Sequence, residues 1–207
     1  MITLYDCSTA PSPRRARILL CEKGVLHQTV EVDLRNGEQL SEAYRTVNPQ
    51  CTVPALRTDH GLLLTDNAAI TAYLEARFPE PPLLGSTAQE KAAIASWNWR
   101  VEFEGLMAIA EALRNSAPAM ANRALPGPVD YPQIPELAQR GLARVRQFLV
   151  TLNEQLVPQD FRLFARRVRA LKPLTCFLGM HSSQLMHGRK AVWAELNELE
   201  QRIAEWC

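Results

Sequence analysis

Val30, Val32 and Leu34 alternate with Thr29, Glu31 and Asp33, the two-residue period of a strand with one buried face, and predict a strand over 28–34. Residues 2–6 read as another strand. Between them the period lengthens. After the breakers Pro11-Ser12-Pro13, the run Ile18-Leu19-Leu20 predicts a helix that Gly24 stops. A strand, helix and strand of this length form a crossover unit, which implies parallel pairing and a right-handed connection. Two more strands are predicted over 53–57 and 62–64, turned by Asp59-His60-Gly61, with a helix over 66–78 packed on them. The expectation for 1–78 is an open α/β sheet with helices on its faces.

Beyond 78 the pattern changes. Pro79-Glu80-Pro81-Pro82 reads as an extended, semi-rigid linker over 79–86, and 87–207 as an all-α helical-bundle domain. Thr87 and Glu90 stand in the capping-box positions of a long helix, along which Trp99, Phe103, Leu106, Ala110 and Leu113 recur as an expected core stripe. A second face, Trp97, Arg100, Glu104 and Met107, mixes aromatic, charged and flexible groups and reads as a pocket lining or as a surface contact. The proline-dense stretch 124–135 predicts a loop. Residues 136–156 predict a further helix with Leu142, Val145, Leu149 and Leu152 inward.

Composition narrows the chemistry by exclusion. At 207 residues the chain is long enough for a substantial core without metals or crosslinks. A formal net charge of +1 gives no global electrostatic reason to expect nucleic acid or an anionic membrane as partner. No apolar run approaches a membrane span, and Met1-Ile2-Thr3-Leu4-Tyr5 lacks the basic start and cleavage pattern of a signal peptide, so the expectation is a cytoplasmic protein. Five cysteines (Cys7, Cys21, Cys51, Cys176, Cys207) with no Cys-x-x-Cys spacing suit a reducing compartment and argue against a disulfide framework or a zinc site. The four histidines add no ligand pattern, and no metal is expected.

The segment Asn48-Pro49-Gln50-Cys51-Thr52-Val53-Pro54-Ala55-Leu56, followed by Thr65-Asp66-Asn67, carries the candidate site. Proline at the mouth of a strand fits only its first residues or an edge. A cis Val53-Pro54 bond would turn the Val53 N–H and C=O outward, where an extended peptide could pair with both as an added strand does. Asp or Asn opening a helix caps it, and the free N–H groups there form an anion site fit for a carboxylate. A small acidic peptide satisfies both halves.

These elements, with Leu4-Tyr5-Asp6-Cys7-Ser8, Arg15-Ala16-Arg17-Ile18-Leu19-Leu20, Glu22-Lys23-Gly24-Val25 and Leu74-Glu75-Ala76-Arg77-Phe78-Pro79 in register, resemble the glutathione transferase family over about residues 1–155. The resemblance implies a thioredoxin-like N-terminal domain, a helical C-terminal domain and two-fold pairing as a homodimer. It also implies glutathione as substrate, its thiolate attacking a small hydrophobic electrophile. On this reading Ser8, Thr52, Val53, Pro54, Asp66 and Asn67 hold the peptide, with Asp66 on its ammonium and Asn67 standing where relatives carry Ser or Thr. Gap-free alignment on Arg15-Ala16-Arg17 puts Ala10 and Pro11 where relatives carry a catalytic Ser or Cys, and neither can donate to sulfur. The donors left in the loop are Ser8, Thr9 and Ser12, with Cys7 at the strand end; Ser12 is taken first and Thr9 second. Cys51, on the loop feeding the site, reads either as a thiol that forms a mixed disulfide with glutathione or as a passive loop residue. The fold also resembles the stringent starvation proteins, non-enzymatic regulators that bind RNA polymerase, and this is the alternative reading. A maleyl-type isomerase is a third, weakened by the missing Ser-Ser-Cys signature.

Beyond Asp160 the resemblance lapses. The basic run 162–173 replaces an acidic bend and capping box, and reads either as genuine sequence or as a shifted reading frame, which sequencing the gene across codons 155–185 decides. Val192, Leu196, Leu199 and Ile203 still space as an amphipathic helix.

Overall fold

The structure, a computed structural model, describes residues 1–156. The expectations for the basic run 162–173 and for the helix through Val192 and Ile203 lie outside the described residues. Two compact units form: Met1–Leu83 with Leu125–Tyr131, and Leu84–Ala124 with the described residues from Pro132.

In the first unit, strand β1 (Ile2–Asp6) is followed by helix α1 (Pro11–Glu22), strand β2 (His27–Glu31), a 3-10 turn (Glu38–Leu40), the short helix α2 (Glu42–Val47), strands β3 (Ala55–Arg57) and β4 (Leu63–Leu64), and helix α3 (Asn67–Arg77). The sheet order is β2-β1-β3-β4. β1 pairs parallel with β2 and antiparallel with β3, and β4 runs antiparallel to β3. The core follows from alternation: Ile2 and Leu4 of β1 and Leu56 of β3 meet Ala16, Leu19 and Leu20 of α1 and Ile70 and Leu74 of α3. Glycine's freedom matters at Gly24. It adopts φ +63° just past α1, its N–H donating to Cys21 O and that of Val25 to Leu20 O, the paired closure of a Schellman cap.

α1 starts earlier than the breakers suggested. Pro11 opens the helix and Pro13 follows within its first turn, where the missing N–H groups would have had no intrahelical partner in any case. Ser12 therefore sits on a helix rather than in a loop. The linker prolines also fold with the first unit: Lys23 Nζ donates to Pro81 O at 2.7 Å and Leu83 N to Glu75 Oε1 at 2.8 Å. Glu80-Pro81 is cis.

In the second unit, α4 (Ala88–Arg100) begins with the full capping box of Thr87 and Glu90. It runs through a π-helical turn (Val101–Leu106) into α5 (Met107–Arg114), and after a loop comes α6 (Pro135–Leu156). The stripe expected as core is displaced. Trp99 and Phe103 are 60% and 51% exposed, while Ile94, Val101, Ala108 and Ala112 are buried. Ile94, Val101, Gly105, Ala108 and Ala112 themselves recur at helical spacing, so the period holds and the smaller residues, not the large aromatics, take the buried face. Trp99 and Phe103 stack at 5.0 Å, and the Arg144 guanidinium lies over the Phe103 ring. On α6, Val145, Leu149 and Leu152 are buried as expected, together with Phe148.

Gly141 fixes how closely α5 and α6 approach. A Cβ there would lie 2.6 Å from Ala108 O and 2.7 Å from Ala112 N, both backbone atoms that cannot rotate aside. Gly141→Ala gains helix propensity of about 1 kcal/mol but forces the helices apart, an overpacking cost of about 1–3 kcal/mol. The expected result is a lower Tm for the second unit in calorimetry; a raised Tm would show that the contact yields.

Candidate functional site

Strand register brings the three sequence segments to one end of the sheet. Tyr5 pairs with Ala55, so Val53 falls level with Cys7; Leu56 pairs with Leu64, so Asp66 falls level with Pro54. The parallel partner of Asp6 is Glu31, at the end of β2.

The turn after β1 is clamped from two sides. Arg17 of α1 donates to the buried Asp6 carboxylate at 2.5 Å, to Cys7 O at 3.3 Å and to Ser8 O at 3.2 Å. Glu31 Oε1 accepts from Ser8 N at 2.7 Å and from the Ser8 hydroxyl at 2.9 Å. Both Ser8 donors are thus committed to Glu31, and neither is free for a ligand. Thr9 Oγ1 lies 3.4 Å from Cys7 Sγ. Ser12 differs from both. It is exposed in the first turn of α1, and its Oγ accepts from Asn67 Nδ2 at 3.0 Å, leaving its own proton without an acceptor among the described residues.

The 48–54 loop is held from below. Asn48, fully buried, donates through Nδ2 to Thr52 O at 2.8 Å and Thr52 Oγ1 at 3.1 Å, and accepts from Gln50 N at 3.0 Å. The Tyr44 hydroxyl also donates to Thr52 O at 2.8 Å. Burial, then the nearby Tyr5 and Cys51, push the Tyr44 phenol up to about 12, so it stays a proton donor at any physiological pH. Thr52 therefore faces inward as a strut. The Val53-Pro54 bond is cis, Pro54 is buried, and the Val53 N–H and C=O have no partner among the described residues. Cys51 is 2% exposed with its Sγ toward Pro49 O, which withdraws the thiol from solvent and counts against a mixed disulfide there.

Asp66 is the N-cap of α3, its Oδ1 accepting from Ala69 N at 2.8 Å, and it is exposed. The N–H groups of Asn67 and Ala68, at the first two helical positions, have no intrahelical acceptor. Asn67 Nδ2 reaches across to Ser12 O at 3.1 Å as well as to Ser12 Oγ, so the openings of α1 and α3 are in direct contact. The structure thus joins Ser12 to Asn67 and leaves polar groups uncommitted at Ser12, Val53 and Asp66. Arg17, Glu31, Tyr44 and Asn48, which fix the loops, were not singled out by spacing. Asn48 and Arg17 lie inside the segments that carry the resemblance and Glu31 inside the strand alternation, but none of these signals points to a clamping role, and Tyr44 has no signal.

The β2-β1-β3-β4 sheet packed against α1 and α3, with a cis-proline at the mouth of β3, is a thioredoxin-like domain. Residues 9–77 match the family model of the glutathione S-transferase N-terminal domain. Glutathione S-transferase 2 of Saccharomyces cerevisiae is 35% identical over 119 residues, 56% of this chain and 51% of that protein. Maleylacetoacetate isomerase of Pseudomonas aeruginosa is 45% identical over 85 residues, 40% of each chain. The chain spans about half the length, or less, of these curated relatives. A crystal structure of a glutathione S-transferase domain-containing protein from Marinobacter aquaeolei superposes with TM-score 0.78 at 28% identity, covering 98% of this chain and 97% of that one. Residues 9–77 therefore carry a glutathione S-transferase N-terminal domain, and the chain as a whole is similar in fold to glutathione S-transferases.

Proposed function

We propose that the protein is a glutathione transferase that binds glutathione along the 53–67 edge and joins its thiolate to a small hydrophobic electrophile. The observation that carries this is the Ser12 hydroxyl: exposed at the start of α1, it has an uncommitted proton, whereas that of Ser8 is spent on Glu31. Val53 supplies a backbone donor and acceptor for the peptide, the N-terminus of α3 takes its carboxylate, and Asp66 takes its ammonium. The free thiols of Cys7, Cys21 and Cys51 suit the reducing cytoplasm in which glutathione is abundant. Retention on immobilised glutathione together with conjugation across a small electrophile panel tests the proposal, and failure of retention overturns it.

Ala10 and Pro11, which offer sulfur no side-chain donor, favour a second reading, a non-enzymatic regulator that binds RNA polymerase. Glutathione retention without any conjugation, combined with co-elution of RNA polymerase, would select it.

Asp66 is expected to act twice, and two substitutions separate the roles. Asp66→Asn keeps an N-cap and removes the charge, so glutathione binding should weaken by about 1–3 kcal/mol in calorimetry while Tm hardly moves. Asp66→Ala should lose a further ~1 kcal/mol of stability with the cap. Unchanged affinity in both would place the peptide elsewhere.

The proposed assembly is a homodimer. The exposed Leu62 of the first unit and the exposed Trp99, Phe103 and Met107 of the second offer apolar surface for a second copy. A dimer mass at micromolar concentration is the expected result, and a monomer mass would contradict it.

A further inference from the structure

We infer that Asn67 is a positioning residue whose side chain orients the Ser12 proton toward the thiol of bound glutathione. The inference rests on the reading of Ser12 as the sulfur donor and extends it to the group behind that donor.

The amide's orientation is set by chemistry. One of its two contacts is the Ser12 carbonyl oxygen at 3.1 Å, which can only accept, so the end facing it must be the NH₂. The same NH₂ then reaches Ser12 Oγ at 3.0 Å and occupies one of its lone pairs. A hydroxyl has a single proton, and a hydroxyl receiving a bond from an NH₂ group must turn that proton elsewhere. With Ser12 exposed and no acceptor among the described residues, the proton is left for a ligand. Fixing it beforehand removes a reorganisation step when the thiolate forms.

The geometry also carries a cost that a passive contact would not explain. Asn67 Oδ1 is buried and has no hydrogen-bond partner among the described residues. A half-satisfied buried amide is unfavourable, and the Ser or Thr that the family resemblance leads one to expect here would avoid it. A hydroxyl, however, lacks the second donor that lets Nδ2 hold the Ser12 carbonyl and Oγ together. The amide backbone of Asn67 stays free for the peptide carboxylate, so the side chain of one residue serves the ligand's thiol and its main chain a carboxylate.

The test is the thiol pKa of glutathione bound to the full chain, read from thiolate ultraviolet absorbance against pH, with kcat and KM for glutathione measured alongside. Asn67→Ala should raise the bound thiol's pKa by about one unit, lowering the thiolate at neutral pH by at most about tenfold, with KM for glutathione nearly constant. Asn67→Asp should be worse, matching Ser12→Ala, because its carboxylate would capture the Ser12 proton. Combining Ser12→Ala with Asn67→Ala should do no more than Ser12→Ala alone. If Ser12→Ala raises the pKa and Asn67→Ala does not, the inference fails while the donor assignment stands. If Asn67→Ala raises KM with an unmoved pKa, its role is binding and the inference is overturned. If Ser12→Ala leaves the pKa unmoved, the donor reading fails and this inference falls with it.

Discussion

Ser12→Ala is expected to lower the conjugation rate by about 10²–10³ while leaving glutathione affinity nearly unchanged. A free thiol titrates near about 8.5, so at neutral pH most of it is protonated, and catalysis depends on lowering that value. Helix N-termini commonly supply N–H groups for this purpose. In α1, prolines at 11 and 13 remove two of the first three, leaving Ser12 as the only one of these residues with a backbone donor. The Ser12 hydroxyl therefore carries more of the stabilisation than a side chain at an ordinary helix start would. Affinity should hold because Val53 and the N-terminus of α3 anchor the peptide away from its sulfur. Stopped-flow rates and the pH titration of bound thiol check both parts. If Thr9→Ala gives the loss and Ser12→Ala is silent, the donor is Thr9, whose exposed hydroxyl sits beside Cys7 Sγ. If neither matters, the mechanism loses its side-chain donor altogether.

The sequence reveals local rules more readily than long-range ones. The strand-helix-strand unit, the Gly24 stop, the Thr87–Glu90 box and the Val53-Pro54 strand mouth were legible because each depends on residues within a turn or two. The start of α1 was misplaced because proline's two effects oppose each other: it breaks a helix interior yet suits a helix opening. The aromatic face of α4 was misassigned because two faces of the helix share the period, and the smaller Ile94, Val101, Ala108 and Ala112 rather than Trp99 and Phe103 are buried. The site followed the same division. Val53, Asp66 and Ser12 are visible as residue types at telling places, whereas the Glu31 clamp on Ser8 and the Asn67 bond to Ser12 span separations that no periodicity encodes.

The same long-range logic produces the largest expected stability effect, at Lys23→Ala. The Lys23 side chain is fully buried, with Nζ 2.6 Å from Glu75 Oε2 and 2.7 Å from Pro81 O. The approach to Pro81 is aligned as a hydrogen bond, while that to Oε2 is an ion pair off the hydrogen-bond line. Glu75 Oε1 in turn accepts from Leu83 N. One ammonium therefore ties the end of α1, α3 and the proline segment together. Removing one member of a buried pair leaves the other charge uncompensated, at about 3–5 kcal/mol. Glu75 keeps 18% of its side-chain surface exposed and can recover some hydration, so the lower end of that range is expected. The first unit should melt earlier, and proteolysis should begin near 79–83 once Pro81 and Leu83 lose their anchors. Lys23→Met combined with Glu75→Gln separates charge from packing. It buries no charge, fills the lysine's volume and keeps an acceptor for Leu83 N, so most of the lost stability should return. A Lys23→Ala change within ~1 kcal/mol of the parent, or a double substitution no better than the single one, would show that the pair does not hold the segment.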